Sequence, residues 1–293
     1  MATLKDVKLK ITAVKKTKQI TKAMNMVATS RLRGCQQATD AFRPYADKFA
    51  EVLGSLAGRA GGEANPLLIP RDEVRNVHVV LCTSDRGLCG GFNLNLIESA
   101  EKMAKEMAAA GKAVSFTSFG KKGRDWARKS PYEMVDAQVG VIGGRIPFAT
   151  AVATGRQLVD RFQDGTYDEV YVIYAQFETM ARQKPVVQQL LPIPAISTTV
   201  DADAPYMAEH ICEPSPAKLL GTLLPRNVFV QLYKALLETS TSEHAARMMA
   251  MENATKACND MIDRLTLAYN KARQAAITAE LMDIVGGAEA LKG

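Results

Sequence analysis

Apolar residues near the beginning of the chain recur at helical spacing. The first seam consists of Leu4, Val7, Ile11 and Val14. Its next two positions, Lys18 and Thr21, are polar, and a second apolar stripe follows at Ile20, Met24 and Val27. This shift has two interpretations. A long helix could pack against a partner helix first and against something else further along, or a helix could lie on a globular core with a buried face that moves gradually around it.

The middle of the chain follows a different period. A Gly- and Pro-rich stretch at 58–73 ends the first helix, and short β-branched apolar runs then alternate with helical segments. The predicted strands are 77–82, 113–119, 168–177 and 186–191, and the predicted helices are 93–110, 122–129 and 147–163. Strands that alternate with helices favour a Rossmann-like α/β domain with a mainly parallel sheet.

The helical period returns after Pro216. A seam with alternating steps of three and four comprises Met248, Met251, Thr255, Cys258, Ile262, Leu265, Tyr269, Ala272 and Ala276. Such a repeat over four heptads is typical of a coiled coil, and a neighbouring alanine stripe would permit close helix approach. We therefore expect an α/β body, residues 74–200, and a long antiparallel coiled coil in which the terminal helices, 1–58 and 206–293, pair.

Composition and charge narrow the function classes. The chain has 293 residues, 47% of them apolar, so disorder throughout is excluded. No uncharged apolar run approaches the roughly 18 residues of a membrane span, and no signal core is present. The net charge of +6 is concentrated in residues 1–33, which carry +8. A basic segment of this kind expects nucleic acid, lipid headgroups or an acidic protein surface. It has no aromatic residue before Phe42, which disfavours base stacking.

Candidate chemistry is sparse. Five cysteines without a CxxC pair indicate reduced cytosolic thiols and neither a disulfide framework nor a zinc site. The three histidines are scattered and point to no catalytic triad, which leaves only a dispersed one open. The segment TSDRGLCGGFN, 83–93, stands where a nucleotide loop would stand, but it lacks both GK[ST] and GxGxxG. We interpret Gly87, Gly90 and Gly91 as structural, since glycine permits a tight turn and the close packing of another backbone. A small α/β enzyme with helical extensions would need a convergent polar pocket, which the sequence does not display.

Three segments carry a family resemblance. LKDVKLKITAVKKTKQITKAMNMVATSRL at 4–32, the central TSDRGLCGGFN, and the closing stretch 252–291 resemble the gamma subunits of bacterial F-type ATP synthases. The closing stretch contains Ile-Thr-x-Glu-x-x-Asp-x-x-x-Gly-Ala-x-Ala at 277–290. The motifs stand in the family's order, so the resemblance covers the full chain.

This resemblance implies a non-catalytic rotor. Such a subunit couples transmembrane ion flow, commonly of protons, through the c ring to ATP synthesis or hydrolysis on the hexamer of alpha and beta subunits. The implied partners are the alpha, beta and epsilon subunits and the c ring, with no cofactor and no nucleic acid. The implied location is the cytoplasmic face of the bacterial inner membrane, reached through the complex only. The alternative is a coiled-coil scaffold whose basic helix binds an acidic partner or nucleic acid.

The resemblance also assigns contact residues. Met24 would lie near an acidic lever loop of a beta subunit. The paired terminal helices would form a shaft inside the ring of alpha and beta subunits, and the part of the ring that touches the shaft is called the bearing. The residues that would contact this bearing are Arg273, Gln274 and Thr278. Glu213 and His210 would lie at the foot, near the c ring and epsilon.

Overall fold

The computed structural model describes residues 4–59, 65–194 and 215–290. Along the chain, one long helix precedes a segment with five strands and a second long helix follows it. The elements are α1 (Leu4–Arg59), β1 (Asn76–Cys82), α2 (Phe92–Ala109), β2 (Ala113–Phe119), α3 (Lys121–Ala127), β3 (Glu133–Gln138), α4 (Phe148–Gln163), β4 (Glu169–Phe177), β5 (Gln183–Leu191) and α5 (Pro216–Ala290). Among the described residues, no helix is both long enough and apolar enough to cross a membrane.

The strands form one sheet in the order β3-β2-β1-β4-β5. The first four are parallel, and β5 runs antiparallel to β4, so the prediction of a mainly parallel sheet is confirmed. The strand β3 was not predicted, because this edge strand contains Glu133 and Asp136 and none of its residues is fully buried. The strand predicted at 186–191 is β5, which begins earlier, at Gln183, and pairs with β4 across a short turn.

The central strand β1 contributes to two apolar cores. Alternate side chains of a strand point to opposite faces of the sheet. Val80 and Cys82 belong to one core, which also contains residues of α1, α4 and α5. Val79 and Leu81 belong to the other core, which is covered by α2. Burial on both faces explains why this strand is a continuous apolar run in the sequence.

Contacts divide the chain into two compact units, each of which contains part of α1 and part of α5. Unit one comprises Met1–Ala28 with Met248–Gly293, and unit two comprises Thr29–Arg247. In unit one the two helices pair antiparallel: the hydroxyls of Thr21 and Thr255 lie 2.8 Å apart, and Asn25 Nδ2 donates to the carbonyl of Met248 at 2.8 Å. Every predicted seam position from 248 to 276 is buried or half-buried. The predicted coiled-coil seam of α5 is therefore confirmed.

The seam of α1 does not shift as the sequence suggested. Lys18 is half-buried and Thr21 is buried, so the first seam continues through both positions. Ile20 and Val27 of the second stripe are instead 60% and 61% exposed. Thr21 is tolerated inside because its hydroxyl is hydrogen-bonded across the seam, which removes the cost of burying a polar group.

Polar contacts also join the two helices within unit two. Cys35 Sγ lies 3.3 Å from Ser240 Oγ, and the hydroxyls of Thr39 and Thr241 lie 3.1 Å apart. The alanine stripe of α5 does not line the seam along its length, because Ala257, Ala268 and Ala275 are exposed. Small hydroxyl-bearing residues instead supply hydrogen bonds between the two helices.

Gly120 is the glycine that the fold most clearly requires. Its φ is +98°, and a Cβ at this position would overlap the Thr83 carbonyl. We expect Gly120→Ala to lower the free energy of unfolding by about 2–4 kcal/mol, through left-handed strain and overpacking. Urea denaturation of the full chain measures the effect. Gly144→Ala is the control, since a Cβ there has no neighbour within 4 Å. An equal loss in both variants would contradict the steric explanation.

Candidate functional site

The residues predicted to contact partners on the shaft lie in unit one. Met24 is half-buried beside the seam, whereas Arg273, Gln274 and Thr278 are exposed. The Thr278 hydroxyl donates to the Gln274 carbonyl at 2.9 Å, a contact within the helix. His210 and Glu213, predicted for the foot, lie outside the described residues.

The outer surface of α1 is strongly basic. With the exception of the half-buried Lys18, all its basic residues up to position 33 are exposed: Lys5, Lys8, Lys10, Lys15, Lys16, Lys22, Arg31 and Arg33. Asp6 is the one acidic residue in this stretch of sequence. Charge of one sign concentrated along one helix attracts an acidic surface.

Large apolar side chains accompany this charge on the outside of unit one. On α1, Leu9, Ile20, Met26 and Val27 are 58–61% exposed. On α5, every residue from 277 to 288 is exposed, including Ile284 at 71%. Scattered exposed apolar residues are ordinary, but a contiguous series of them marks a surface that another chain covers.

The glycine-rich segment 83–93 connects β1 to α2. Gly90 has a φ of +60° and Leu88 a φ of +65°. Asn93 closes the segment, with its side-chain oxygen accepting from the Ser84 amide at 3.0 Å. Arg247 Nη1 donates to the Gly87 carbonyl at 2.6 Å. The sequence predicted that Gly87 permits close packing of another backbone, but a Cβ at Gly87 would have only Lys122 nearby, at 3.9 Å. The close backbone approach is between Gly120 and the Thr83 carbonyl. These contacts bind the segment to its own unit.

A buried charged cluster in unit two was not predicted. Glu243 pairs with Arg247 one helical turn later, and the His244 Nδ1 lies 3.0 Å from Glu243 Oε2. Cys35 and Ser240 complete the cluster from either side of the α1–α5 contact. The sequence signal was the concentration of charge and hydroxyls in ETSTSEHAAR, 238–247, a stretch that is almost wholly buried.

Neighbouring charges set the protonation of this cluster. Burial disfavours charge on every member, but contacts with His244 and Arg247 outweigh it and lower the pKa of Glu243. For His244, burial is outweighed by contacts with Cys35 and Glu243, which raise its pKa to about 9. Both residues are therefore ionised near neutral pH.

His78 has the opposite character. It is buried in β1, with Nδ1 2.8 Å from Ser115 Oγ and Nε2 3.0 Å from Thr117 Oγ1. Its ring stacks on Tyr167 at 4.2 Å between centroids. Burial and the charge of Arg161 lower the pKa of His78 to about 3. It is a neutral core histidine with both ring nitrogens satisfied.

These observations define a class of protein. One unit is a helix pair with a basic and apolar outer surface, and in the other the glycine-rich segment and His78 are held by internal contacts. Together they fit a stalk-type protein that acts through contacts with other chains. The sequence model described as ATP synthase matches residues 3–291. The chain belongs to the ATP synthase gamma-chain family.

Similar proteins agree along the whole length. The chain is 64% identical to the ATP synthase gamma chain of Desulfosudis oleivorans, with both chains fully covered. It is 54% identical to that of Nitratidesulfovibrio vulgaris, again over both whole chains. A chain from the central stalk and c ring of the Tetrahymena thermophila mitochondrial ATP synthase matches with 26% identity and a TM-score of 0.57, over 80% of this chain and 99% of that one. A chain of the Euglena gracilis enzyme in rotational state 3 shares the fold, with a TM-score of 0.69 at 18% identity, over 98% of this chain and 94% of that one.

Family membership decides the class of activity. A gamma subunit is the central-stalk rotor of ATP synthase and is itself non-catalytic, because the catalytic sites lie on the beta subunits. Proton transport and membrane attachment belong to the complex as a whole. The scaffold and nucleic-acid alternatives are not favoured.

The charge on His244 gives unit two a pH-dependent stability. Its pKa is raised from 6.5 to about 9, so its contribution is complete below about pH 6.5 and is lost as the pH rises through 9. We expect the stability advantage of the wild type over His244→Asn to fall by about 2–3 kcal/mol between pH 6 and pH 10. Urea denaturation at each pH measures it. An advantage that stays constant with pH would contradict a charged His244.

Proposed function

We propose that unit one is the shaft that turns within the ring of alpha and beta subunits. The observation that carries this proposal is its outer surface. The two helices enclose their own seam, yet they leave basic and large apolar side chains exposed on both α1 and α5. Such a surface fits a helix pair that is surrounded by other subunits in the working complex.

The seam of unit one suits the transmission of torque. Paired helices resist bending better than one helix does. Hydrogen bonds at defined positions, such as Thr21 with Thr255 and Asn25 with the Met248 carbonyl, oppose sliding of one helix along the other. Rotation imposed at one end is thereby delivered at the other.

The scarcity of aromatic residues suits a surface that must slide. Across Met1–Ala28 and Met248–Gly293, Tyr269 is the one aromatic residue in the sequence, and its side chain is half-buried in the seam. Binding hot spots are enriched in aromatic anchors, so their absence keeps each contact weak. The asymmetry of the surface still gives each beta subunit different contacts, which shifts the populations of its states.

We assign partner contacts by motif. Met24 and the exposed lysines of α1 would face the acidic lever loops of the beta subunits. Arg273, Gln274 and Thr278 would contact the bearing formed by alpha and beta. Glu213 and His210 would meet the c ring and epsilon, and Gly87, Gly90 and Gly91 would shape a turn without partner contact. Bacterial relatives support a location at the cytoplasmic face of the inner membrane, held peripherally through the complex.

Arg273 tests the bearing. We expect Arg273→Ala to change the unfolding free energy of the full chain by less than about 0.5 kcal/mol, because the side chain is exposed. In the assembled complex it should lower ATP-driven ion pumping per ATP hydrolysed. Arg264→Ala, also exposed on α5 but outside the KARQAAIT motif, is the matched control. Normal pumping by the Arg273 variant, or an equal defect in the control, would contradict the assignment.

The lysines of α1 test the acidic counter-surface. We expect Lys15→Gln with Lys16→Gln to weaken assembly with the alpha–beta hexamer about threefold or more at low salt, with a smaller effect at high salt because exposed charges are screened. The control, Lys102→Gln with Lys129→Gln, removes the same charge from exposed positions of unit two. Titration of labelled chain against hexamer measures both. Equal affinities for the two variants would contradict a specific role for α1.

A further inference from the structure

Cys35 of α1 lies against a polar group of α5. The thiol is half-buried, and its Sγ is 3.3 Å from Ser240 Oγ. Ser240 Oγ accepts a hydrogen bond from the Gly143 amide at 3.2 Å. The hydroxyl proton of Ser240 is therefore available to donate to sulfur, which stabilises a thiolate more than a thiol.

An imidazole and a carboxylate extend this contact. His244 lies one helical turn after Ser240 on α5, and its Nε2 lies 3.3 Å from the carbonyl of Gly143, the residue whose amide bonds Ser240. Its Nδ1 is 3.0 Å from Glu243 Oε2, but neither atom has a hydrogen-bond partner of regular geometry among the described residues. The two side chains are 8% and 5% exposed, so an ion pair holds the imidazolium in place.

The remaining charged and titratable groups around the cluster leave this arrangement intact. Arg247 pairs with Glu243 Oε1 and with the Gly87 carbonyl, and Cys89 faces the same pair from the segment after β1. Glu243 thus holds a charged His244 in the cluster that contains Cys35 and Ser240, and a positive charge near a cysteine favours its thiolate. The carboxylate is kept ionised by His244 and Arg247.

Cys35 differs in this respect from the other described cysteines. Burial acts to raise its pKa, but the contacts with His244 and Ser240 outweigh burial and lower it. Cys82 and Cys89 are buried, and burial raises the pKa of both. Cys258 is half-buried like Cys35 but lies in the seam of unit one, where none of the described residues is a histidine. Thiolate character and access are the two determinants of cysteine reactivity.

We propose that Cys35 is a modification site that exchanges with low-molecular-weight disulfides such as glutathione disulfide. The Cys35 thiolate attacks one sulfur of the disulfide and forms a new S–S bond. The original S–S bond breaks, and its electron pair leaves with the second sulfur as a thiolate, which takes a proton from water. Cys35 is oxidised, half of the disulfide is reduced, and a second thiol reverses the step.

The test measures how fast iodoacetamide alkylates each cysteine of the full chain. Peptide mass spectrometry assigns the label to individual cysteines. We expect Cys35 to react at pH 7 about threefold or more faster than Cys258, with a rate that rises at lower pH than the rate of Cys258. Cys82 and Cys89 should stay unlabelled while the protein is folded. A Cys35 rate no greater than that of Cys258, with the same pH dependence, would overturn the proposal.

Two variants separate activation from mere exposure. His244→Gln keeps a polar side chain of similar size but removes the positive charge, and Ser240→Ala removes the hydroxyl donor. Each should slow Cys35 and move its profile to higher pH, without changing the rate at Cys258. Unchanged Cys35 kinetics in a folded variant would overturn the mechanism. Labelling of Cys82 and Cys89 would show that a variant has unfolded. In that case the pH dependence of the wild-type Cys35 rate, compared with that of Cys258, decides whether Cys35 is activated.

Glutathione disulfide itself is the final probe. Incubation of the full chain at pH 7 should add a glutathionyl group to Cys35 before it modifies Cys82, Cys89 or Cys258, and dithiothreitol should remove it. Labelling that favours Cys258, or no labelling at Cys35 at concentrations that modify Cys258, would overturn the assignment.

Discussion

The pairing of α1 with α5 is the interaction on which the other features depend. These helices lie at opposite ends of the described chain, and each contributes residues to both compact units. The described cross-helix hydrogen bonds involve small polar side chains of α1: Thr21 with Thr255, Asn25 with the Met248 carbonyl, Thr39 with Thr241, and Cys35 with Ser240. Hydroxyls of this kind also bond to carbonyls of their own helix, so they are satisfied inside the seam at little cost.

This choice of seam determines what remains on the outside. A seam that closes through hydroxyls and a few apolar side chains does not need all the large apolar residues of α1. Ile20, Met26 and Val27 are consequently left exposed beside the lysines. A gamma subunit is a central-stalk rotor, and exposed apolar side chains fit the contacts with other subunits that we propose for unit one.

Sequence patterns predicted the elements whose burial is uniform. The strand at 113–119 was predicted at its observed bounds, and the seam from Met248 to Ala276 was predicted position by position. The pattern failed where burial was partial or where polar groups were satisfied. The edge strand β3 was not predicted, because its side chains are only partly buried. Thr21 was interpreted as a break in the seam of α1, because its hydrogen bond across the helices cannot be seen in one sequence.

The candidate site divides in the same way. The basic charge of α1 was visible from the sequence. Its exposure was also predictable, because lysine and arginine side chains are mostly exposed whatever the rest of the fold. The cluster of Cys35 with Ser240 joins positions 205 residues apart, so no local period could have placed them together. The resemblance supplied Met24, Arg273, Gln274 and Thr278 by motif, and these assignments remain proposals because their partners are other chains.

The central strand β1 has a consequence for how unit two loses its structure. Alternate residues of β1 pack into the two cores: Val80 and Cys82 into one, Val79 and Leu81 into the other. Unfolding of either core would therefore remove packing contacts from the strand that the other core needs. The two faces of the sheet should therefore melt in a single cooperative transition. Backbone amides of β1 should exchange with solvent more slowly than others in the unit, at the rate of global opening.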